Sequence, residues 1–288
     1  MDEQKPIVGT TAVIGLGLIG GSMALALKDK KLTSHVIGSD LSRENEQKAL
    51  ELGLVDEVLP LKEAVQKADL VVLAVPVNAC VQLLPIVLDE VDQQIVIDTG
   101  STKTNLVNAV ANHPKRSRYL PTHPMWGTEF SGPEAAVHGA FSGKAVVFCN
   151  REEADADVLA TVTKIYETIG MNIIYMQAEA HDEHVAYISH ISHITSFALA
   201  NTVLEKEKKE EAIFALASAG FESTVRLAKS PSTMWVPILL QNRENVLDVL
   251  DEHIAQLARF RDSLEQKDQV RLGELMQNAN KIGRVLKK

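Results

Sequence analysis

The 288-residue chain has little cysteine: Cys80 lies in an Asn-Ala-Cys-Val context that reads as core helix, and Cys149 in a Val-Phe-Cys-Asn context that reads as core strand. Two thiols so placed are expected to be buried and unpaired, which argues against a disulfide framework or a catalytic cysteine pair. Long apolar runs are also missing. The longest, Leu70 to Leu88, is broken by Pro76, Asn78, Gln82 and Pro85, short of the roughly 20 residues a spanning helix needs. Positive charge is outnumbered, 29 Lys+Arg against 38 Asp+Glu, for a net charge of −9. A chain this acidic has no basic face for nucleic acid or anionic lipid. The opening Met-Asp-Glu-Gln-Lys-Pro has neither an apolar segment nor the arginines of a targeting peptide, so a cytoplasmic protein is expected. No internal repeat or low-complexity linker is visible. What remains, 45% hydrophobic and 23% charged residues over this length, is the composition of a globular protein of about two domains. Its expected partners are small molecules or a second copy of itself.

From Thr11 to about Met176, short β-branched runs alternate with amphipathic stretches of helical length. Thr11–Gly15, His35–Gly38, Leu70–Val75 and Gln94–Asp98 are apolar throughout rather than alternating, as strands covered on both faces are. A doubly wound α/β sheet is expected over residues 1–176, extended by strands at Tyr119–Leu120, Lys144–Cys149 and Asn172–Met176, with a helix at Glu152–Ile169. Residues 177–288 read as all-α. There Val246, Leu247, Val249, Leu250, Ile254, Leu257, Ala258 and Phe260 form one stripe, continued by Leu264, Val270, Leu272, Leu275, Met276 and Ile282. So wide a stripe needs a partner surface, most simply a twofold dimer. The basic tracts Lys28–Lys31, Pro114–Arg118 and Lys206–Glu211 read as solvated caps.

Gly15-Leu-Gly17-Leu18-Ile19-Gly20 leaves a strand and opens a helix, the context in which a GxGxxG turn binds a dinucleotide pyrophosphate. Asp40 ends the next strand and is placed to accept bonds from the ribose hydroxyls of NAD. Arg43 keeps the alternative of a 2′-phosphate open. Gly15, Gly17, Leu18, Ile19, Gly20 and Asp40, with Val75 and Pro76 after the neighbouring strand, are the expected cofactor contacts.

Three further segments place polar residues where a core would exclude them. Asp98-Thr-Gly-Ser101-Thr-Lys103 follows a strand, where ligands of open α/β sheets collect; helix capping is the plain alternative. Thr122-His123-Pro-Met-Trp-Gly-Thr128-Glu129-Phe-Ser-Gly runs from a strand end into a loop. His181-Asp-Glu-His184 and His190-Ile-Ser-His193 place four imidazoles on one expected helix, but without an HExxH-type pattern, so no metal is expected. Later come Gly220-Phe-Glu-Ser-Thr-Val-Arg226, with an arginine suited to a carboxylate, and Met234-Trp235.

Taken together, the glycine turn, Gly-Ser-Thr-Lys, His-Pro-Met-Trp-Gly-Thr-Glu-Phe-Ser-Gly, Ser-His-Ile-Ser-His and Gly-Phe-Glu-Ser-Thr-Val-Arg…Met-Trp resemble the prephenate/arogenate dehydrogenases of tyrosine biosynthesis. The resemblance runs from about residue 10 to the end. It implies a Rossmann domain followed by a helical dimerisation domain, and NAD-dependent oxidative decarboxylation of prephenate to 4-hydroxyphenylpyruvate. It also implies His123 as the proton acceptor, Ser101 bonding the same hydroxyl or orienting the histidine, His193 and Arg226 on the substrate carboxylates, and Thr128, Glu129 and Trp235 shaping or gating the pocket. His193 favours prephenate; arogenate is the alternative substrate. Neither an ACT-type module nor a fused chorismate mutase is expected. The chain departs from the commoner pattern at Ser192, where many members have proline, and at Glu222-Ser223, where they have Arg-Asp. A 6-phosphogluconate-type β-hydroxyacid dehydrogenase is the nearest other enzyme, but the stretch that would offer its lysine base has His, Ser and Tyr187. A NAD-sensing protein with a degenerate site is the alternative outside enzymes.

Overall fold

The computed structural model describes residues 5–207, 213 and 216–286. Its first half alternates strand and helix: β1 (Val8–Ile14), α1 (Leu18–Asp29), β2 (Thr33–Ser39), α2 (Arg43–Glu51), β3 (Glu57–Val58), α3 (Leu61–Lys67), β4 (Leu70–Leu73), α4 (Val77–Asp89), β5 (Ile95–Asp98), α5 (Thr104–Ala109) and β6 (Tyr119–Leu120). These six strands form a parallel sheet in the order β3-β2-β1-β4-β5-β6, the doubly wound arrangement expected. Every residue of β4 and β5 is buried, because helices cover both faces of a parallel sheet. One face packs around Met23, Leu27, Phe141 and Phe148, the other around Leu84, Val87, Leu88 and Tyr119. Winding reverses between β1 and β4, which pair with Ile14 opposite Leu73, and this opens a crevice at the carboxyl ends of the strands.

The sheet is extended by Tyr119 and Leu120 alone. Pro121 has no N–H to donate to a ladder. Beyond it the chain becomes β7 (Thr122–Pro124) of a separate three-stranded sheet with β8 (Ala145–Cys149) and β9 (Asn172–Met176). There β7 runs antiparallel to β8, with His123 opposite Val147, and α6 (Ala156–Ile169) is the crossover to β9. Cys80 and Cys149 are buried and free, and burial pushes the Cys149 thiol up to about 12.

The tract Pro114–Arg118 is not a solvated cap. Arg116 and Arg118 are buried; Arg116 Nη1 donates to Tyr119 O at 2.7 Å, and Arg118 reaches Gln94 O and the Asp157 carboxylate. The planar fork of Arg118 bonds the carbonyls of Gln93 and Gln94 and the Asp157 carboxylate together, while Arg116 also pairs with Glu153 at 2.7 Å. Residues 208–211 of the third tract lie outside the described residues, as do Met1–Gln4.

The second half is helical: α7 (Ala178–Val185), a π-turn (Ala186–His190), α8 (Ile191–Glu207), α9 (Ala219–Val225), α10 (Ser232–Gln241), α11 (Arg243–Glu265), α12 (Gln269–Ala279) and α13 (Ile282–Val285). The π-turn matters for phase. Twelve residues of plain α-helix would put His193 about 120° around the axis from His181, and one residue absorbed in a π-turn reduces that to about 20°. Val246 and Val249 turn inward against Ala186. Ile254, Leu257, Leu264, Met276 and Ile282 are each more than half exposed. No helix among the described residues is long and apolar enough to cross a membrane.

Candidate active site

At the glycine turn, Gly15 has φ +94°, and a Cβ there would lie 2.6 Å from Ala74 O. On Gly20 a Cβ would meet Gly15 O at 1.9 Å, whereas on Gly17 it would meet nothing within 4 Å. Helix-on-strand packing therefore demands the outer glycines, and the middle one borders open space. Helix α1 starts there at Leu18 with no side-chain cap, so the amides of its first turn, with Ile19 among them, are available to an anion. Val75, whose methyl would be 2.9 Å from a Cβ on Gly15, and Pro76, which precedes α4, face the turn across the crevice. The cradle fits a dinucleotide. Asp40 also braces it, accepting from Leu16 N and Ser42 N at 2.8 Å and from Asn45 Nδ2 at 3.3 Å. Arg43, at the start of α2, is exposed.

The end of β5 carries a fully buried ion pair, Asp98 with Lys103. The carboxylate also accepts from Gly100 N at 2.8 Å, Tyr119 Oη at 2.7 Å and Thr122 N at 3.2 Å. Thr122 is thus pinned beside the strand end, and the next residue, His123, is delivered partly exposed to the cleft. Its Nδ1 is 2.8 Å from His181 Nε2, while its Nε2 has no partner among the described residues. Burial, then the fields of His181, Lys103 and His190, hold the His123 ring well below the ordinary imidazole range, so it is neutral at pH 7.

His181 and Asp182 are the residues that sequence reasoning missed. His181 Nδ1 lies 2.8 Å from Asp182 Oδ1, and both side chains are buried. Asp182 also accepts from Lys103 N at 2.8 Å and Thr104 N at 2.9 Å, capping α5 from another element because its own cap position, Lys103, provides no side-chain bond. Burial works to raise the Asp182 pKa, but the bonds from His181 and Thr104 outweigh it and keep the carboxylate ionised. The available signal was the His-Asp pair itself, which reads otherwise as part of a metal-like histidine cluster.

A second group lies in the helical half. His193 stacks on Trp235 with ring centroids 3.5 Å apart, and its Nδ1 donates to Ser189 O at 3.1 Å. Nε2 is therefore a bare acceptor while the ring is neutral, and burial lowers the ring's pKa. Trp235 Nε1 is buried with no partner among the described residues. Arg226 Nη1 is 3.4 Å from Glu129 Oε2, across the cleft between the loop after β7 and the end of α9. Ser223 Oγ donates to Gly220 O of its own helix, and Glu129 is the carboxylate that Arg226 meets. Thr128 Oγ1 accepts from Phe130 N, which shapes that loop. Ser101 follows β5 in the loop to α5, and no contact joins it directly to His123 among the described residues. The two groups are joined through His190, edge-on to Trp235 at 5.9 Å and 3.2 Å from Asn242 Nδ2, which also donates to Asp182 O at 2.6 Å.

Comparison with known proteins gives a consistent result. Residues 23–175 match the family described as prephenate dehydrogenase, nucleotide-binding domain, and residues 177–278 match prephenate dehydrogenase, dimerization domain. The chain is 33% identical to a cyclohexadienyl dehydrogenase of Zymomonas mobilis, covering 96% of this chain and 95% of that one. It is 31% identical to a prephenate dehydrogenase of Bacillus subtilis, covering 93% and 72%. A solved prephenate dehydrogenase from A. aeolicus, in complex with hydroxyphenyl propionate and NAD+, superposes with a TM-score of 0.85 at 28% identity over 96% of this chain and 97% of that one.

The buried rings make stability depend on pH. Burial brings His190 down to about 4 and lowers His123 and His181. The unfolded chain therefore binds protons that the folded one refuses between about 6.5 and those lower values, and stability falls as pH falls through this window. The melting temperature should be level above pH 7 and decline between about pH 6.5 and 5, where paired carboxylates still keep their charge. A melting temperature constant down to pH 5 would show that these rings are not buried in the neutral form.

Proposed function

The chain belongs to the prephenate dehydrogenase family, and on that premise we propose that His123 is the base of an NAD-dependent oxidative decarboxylation of prephenate. The protein is an NAD-dependent oxidoreductase of tyrosine biosynthesis. The observation that carries the base assignment is the His123 ring: neutral, held on one side by His181 at 2.8 Å, with Nε2 open toward the cleft.

Prephenate has a hydroxyl and a hydrogen on C4 of a cyclohexadiene ring, and a ring carboxylate. Bound NAD supplies the acceptor for the C4 hydrogen as hydride. His123 Nε2 takes the hydroxyl proton as the carbonyl forms, the carboxylate leaves as carbon dioxide with its electron pair passing through the ring to the 4-oxygen, and the phenolate so formed takes the proton back from Nε2; the gain of aromaticity drives the reaction forward. Ser101, on the loop that starts at Asp98, is the further hydroxyl assigned to this end of the substrate. Arg226 and His193 take the carboxylates. An arriving carboxylate competes with Glu129 for the Arg226 guanidinium, and His193 pairs with one by protonating its bare Nε2. Trp235 offers the unused Nε1–H beside them, and Thr128 shapes the loop that carries Glu129. Gly15, Gly17, Leu18, Ile19, Gly20, Asp40, Val75 and Pro76 are the proposed cofactor contacts.

We divide the chain at Met176, and we propose a cytoplasmic homodimer in which a second copy covers the exposed apolar residues of α11–α13. Ile254→Glu should then shift the protein to monomer in sedimentation, and a variant that remains dimeric would move the interface elsewhere.

NADH formation with prephenate, with arogenate offered in parallel, tests the reaction. His123→Ala should lower kcat by roughly 10²–10⁴ with little change in KM, since its bond strengthens in the transition state. A near-normal kcat would remove His123 from the role. Arg226→Ala should raise the KM for prephenate roughly 10- to 100-fold, the worth of a charged hydrogen bond, and leave NAD affinity alone. An unchanged KM would place the carboxylate elsewhere.

A further inference from the structure

We propose that His181 and Asp182 form a positioning relay that sets the tautomer of His123, leaving its Nε2 unprotonated toward the substrate and giving the proton it receives a path of charge-sharing bonds. The inference rests on the assignment of His123 as base.

The argument is one of donors and acceptors. Asp182 is ionised and accepts only, so the atom that meets it at 2.8 Å, His181 Nδ1, carries a hydrogen. A neutral imidazole has one N–H, so His181 Nε2 is then a lone pair. That lone pair faces His123 Nδ1 at 2.8 Å, so Nδ1 of His123 carries the hydrogen and its Nε2 is bare. The base is thereby specified three groups away from the chemistry. The alternative tautomer of His123 would set two lone pairs against each other at 2.8 Å inside the protein.

Asp182 is itself held by more than histidine. Lys103 N and Thr104 N donate to its two oxygens, and Asn242 Nδ2 holds its backbone carbonyl, so the carboxylate cannot rotate away from His181. The charged and titratable groups around the relay are Lys103, Asp98 and His190, together with His123. Lys103 disfavours a second positive charge, whereas Asp182 at the far end favours one. When His123 Nε2 accepts the substrate proton, the ring becomes an imidazolium whose Nδ1–H donates more strongly to His181 Nε2, and the Asp182 anion beyond His181 stabilises the added charge. No atom needs to leave the relay, and the proton on Nε2 is given back to the 4-oxygen of the product, which loss of carbon dioxide leaves as a phenolate.

Asp182 also caps α5, so its replacement would test structure as much as chemistry; His181 is the cleaner probe. His181→Phe keeps the ring shape but accepts nothing from His123. His181→Gln restores an acceptor oxygen near the position of Nε2. With NADH formation from prephenate as the assay, the Phe variant should lose about 100-fold in kcat with the KM for prephenate within about twofold, and the Gln variant should recover about tenfold of that loss. A Phe variant with near-normal kcat, or a Gln variant no better than Phe, overturns the proposal.

A second measurement does not depend on turnover. In the full chain labelled with ¹⁵N-histidine, with His123 and His181 signals assigned by their loss in single variants, both rings should be neutral and protonated on Nδ1 at pH 7. His123 protonated on Nε2 instead overturns the relay even if the variants misfold. The base assignment fails separately: a fully active His123→Ala would refute it whatever the tautomers prove to be.

Discussion

A carboxylate with no contact to solvent organises this molecule. Asp98 ends β5 at zero exposure, and a buried charge is tolerable only when it is neutralised and its lone pairs are filled. Lys103 supplies the opposite charge, and the amides of Gly100 and Thr122 and the hydroxyl of Tyr119 fill the remainder. These donors come from the loop before α5, from β6 and from β7. Meeting the needs of one side chain thus fixes the geometry of three segments, and the position of His123 follows from where Thr122 is pinned.

The same pair sets the electrostatics of the cleft. Burial, assisted by the field of the Lys103 ammonium, keeps His123 and His181 neutral, the form in which an imidazole can act as a base. The acidic surface of the protein has little bearing on this, because the fields that matter come from groups inside the protein, where solvent screens them weakly. An acidic protein can therefore take a dianionic substrate when cationic donors line its cleft, the role proposed for Arg226 and His193, and the surplus carboxylates are spread over the outside.

The helical half is joined to this arrangement by specific bonds. Asp182 caps α5, Asn242 donates to the Asp182 carbonyl, and Thr102 Oγ1 donates to Gln241 Oε1 at 2.8 Å. Through them α7, α10 and α11 are held against the loop that follows β5, so the side of the cleft with His193 and Arg226 and the side with His123 keep a common frame. The π-turn at Ala186–His190 supplies the phase correction that lets one continuous run of helix serve both sides.

Local sequence determined the doubly wound sheet, the glycine turn, the helical second half and the placing of His123 at a strand end. Each is carried by short-range pattern: apolar runs long enough for a strand, glycines where a Cβ has no room, a histidine beside a proline at a strand end. It was silent where residues far apart in the chain choose one another. His123 and His181 are 58 residues apart, Lys103 and Asp182 are 79 apart, and Glu129 rather than a neighbour on α9 meets Arg226. The break at Pro121 that makes a second sheet, the burial of Arg116 and Arg118, and the π-turn also emerge only when elements pack. Periodicity reports which face of an element is buried, but the identity of the partner there, and so the protonation of a ring held by it, is settled only by tertiary structure.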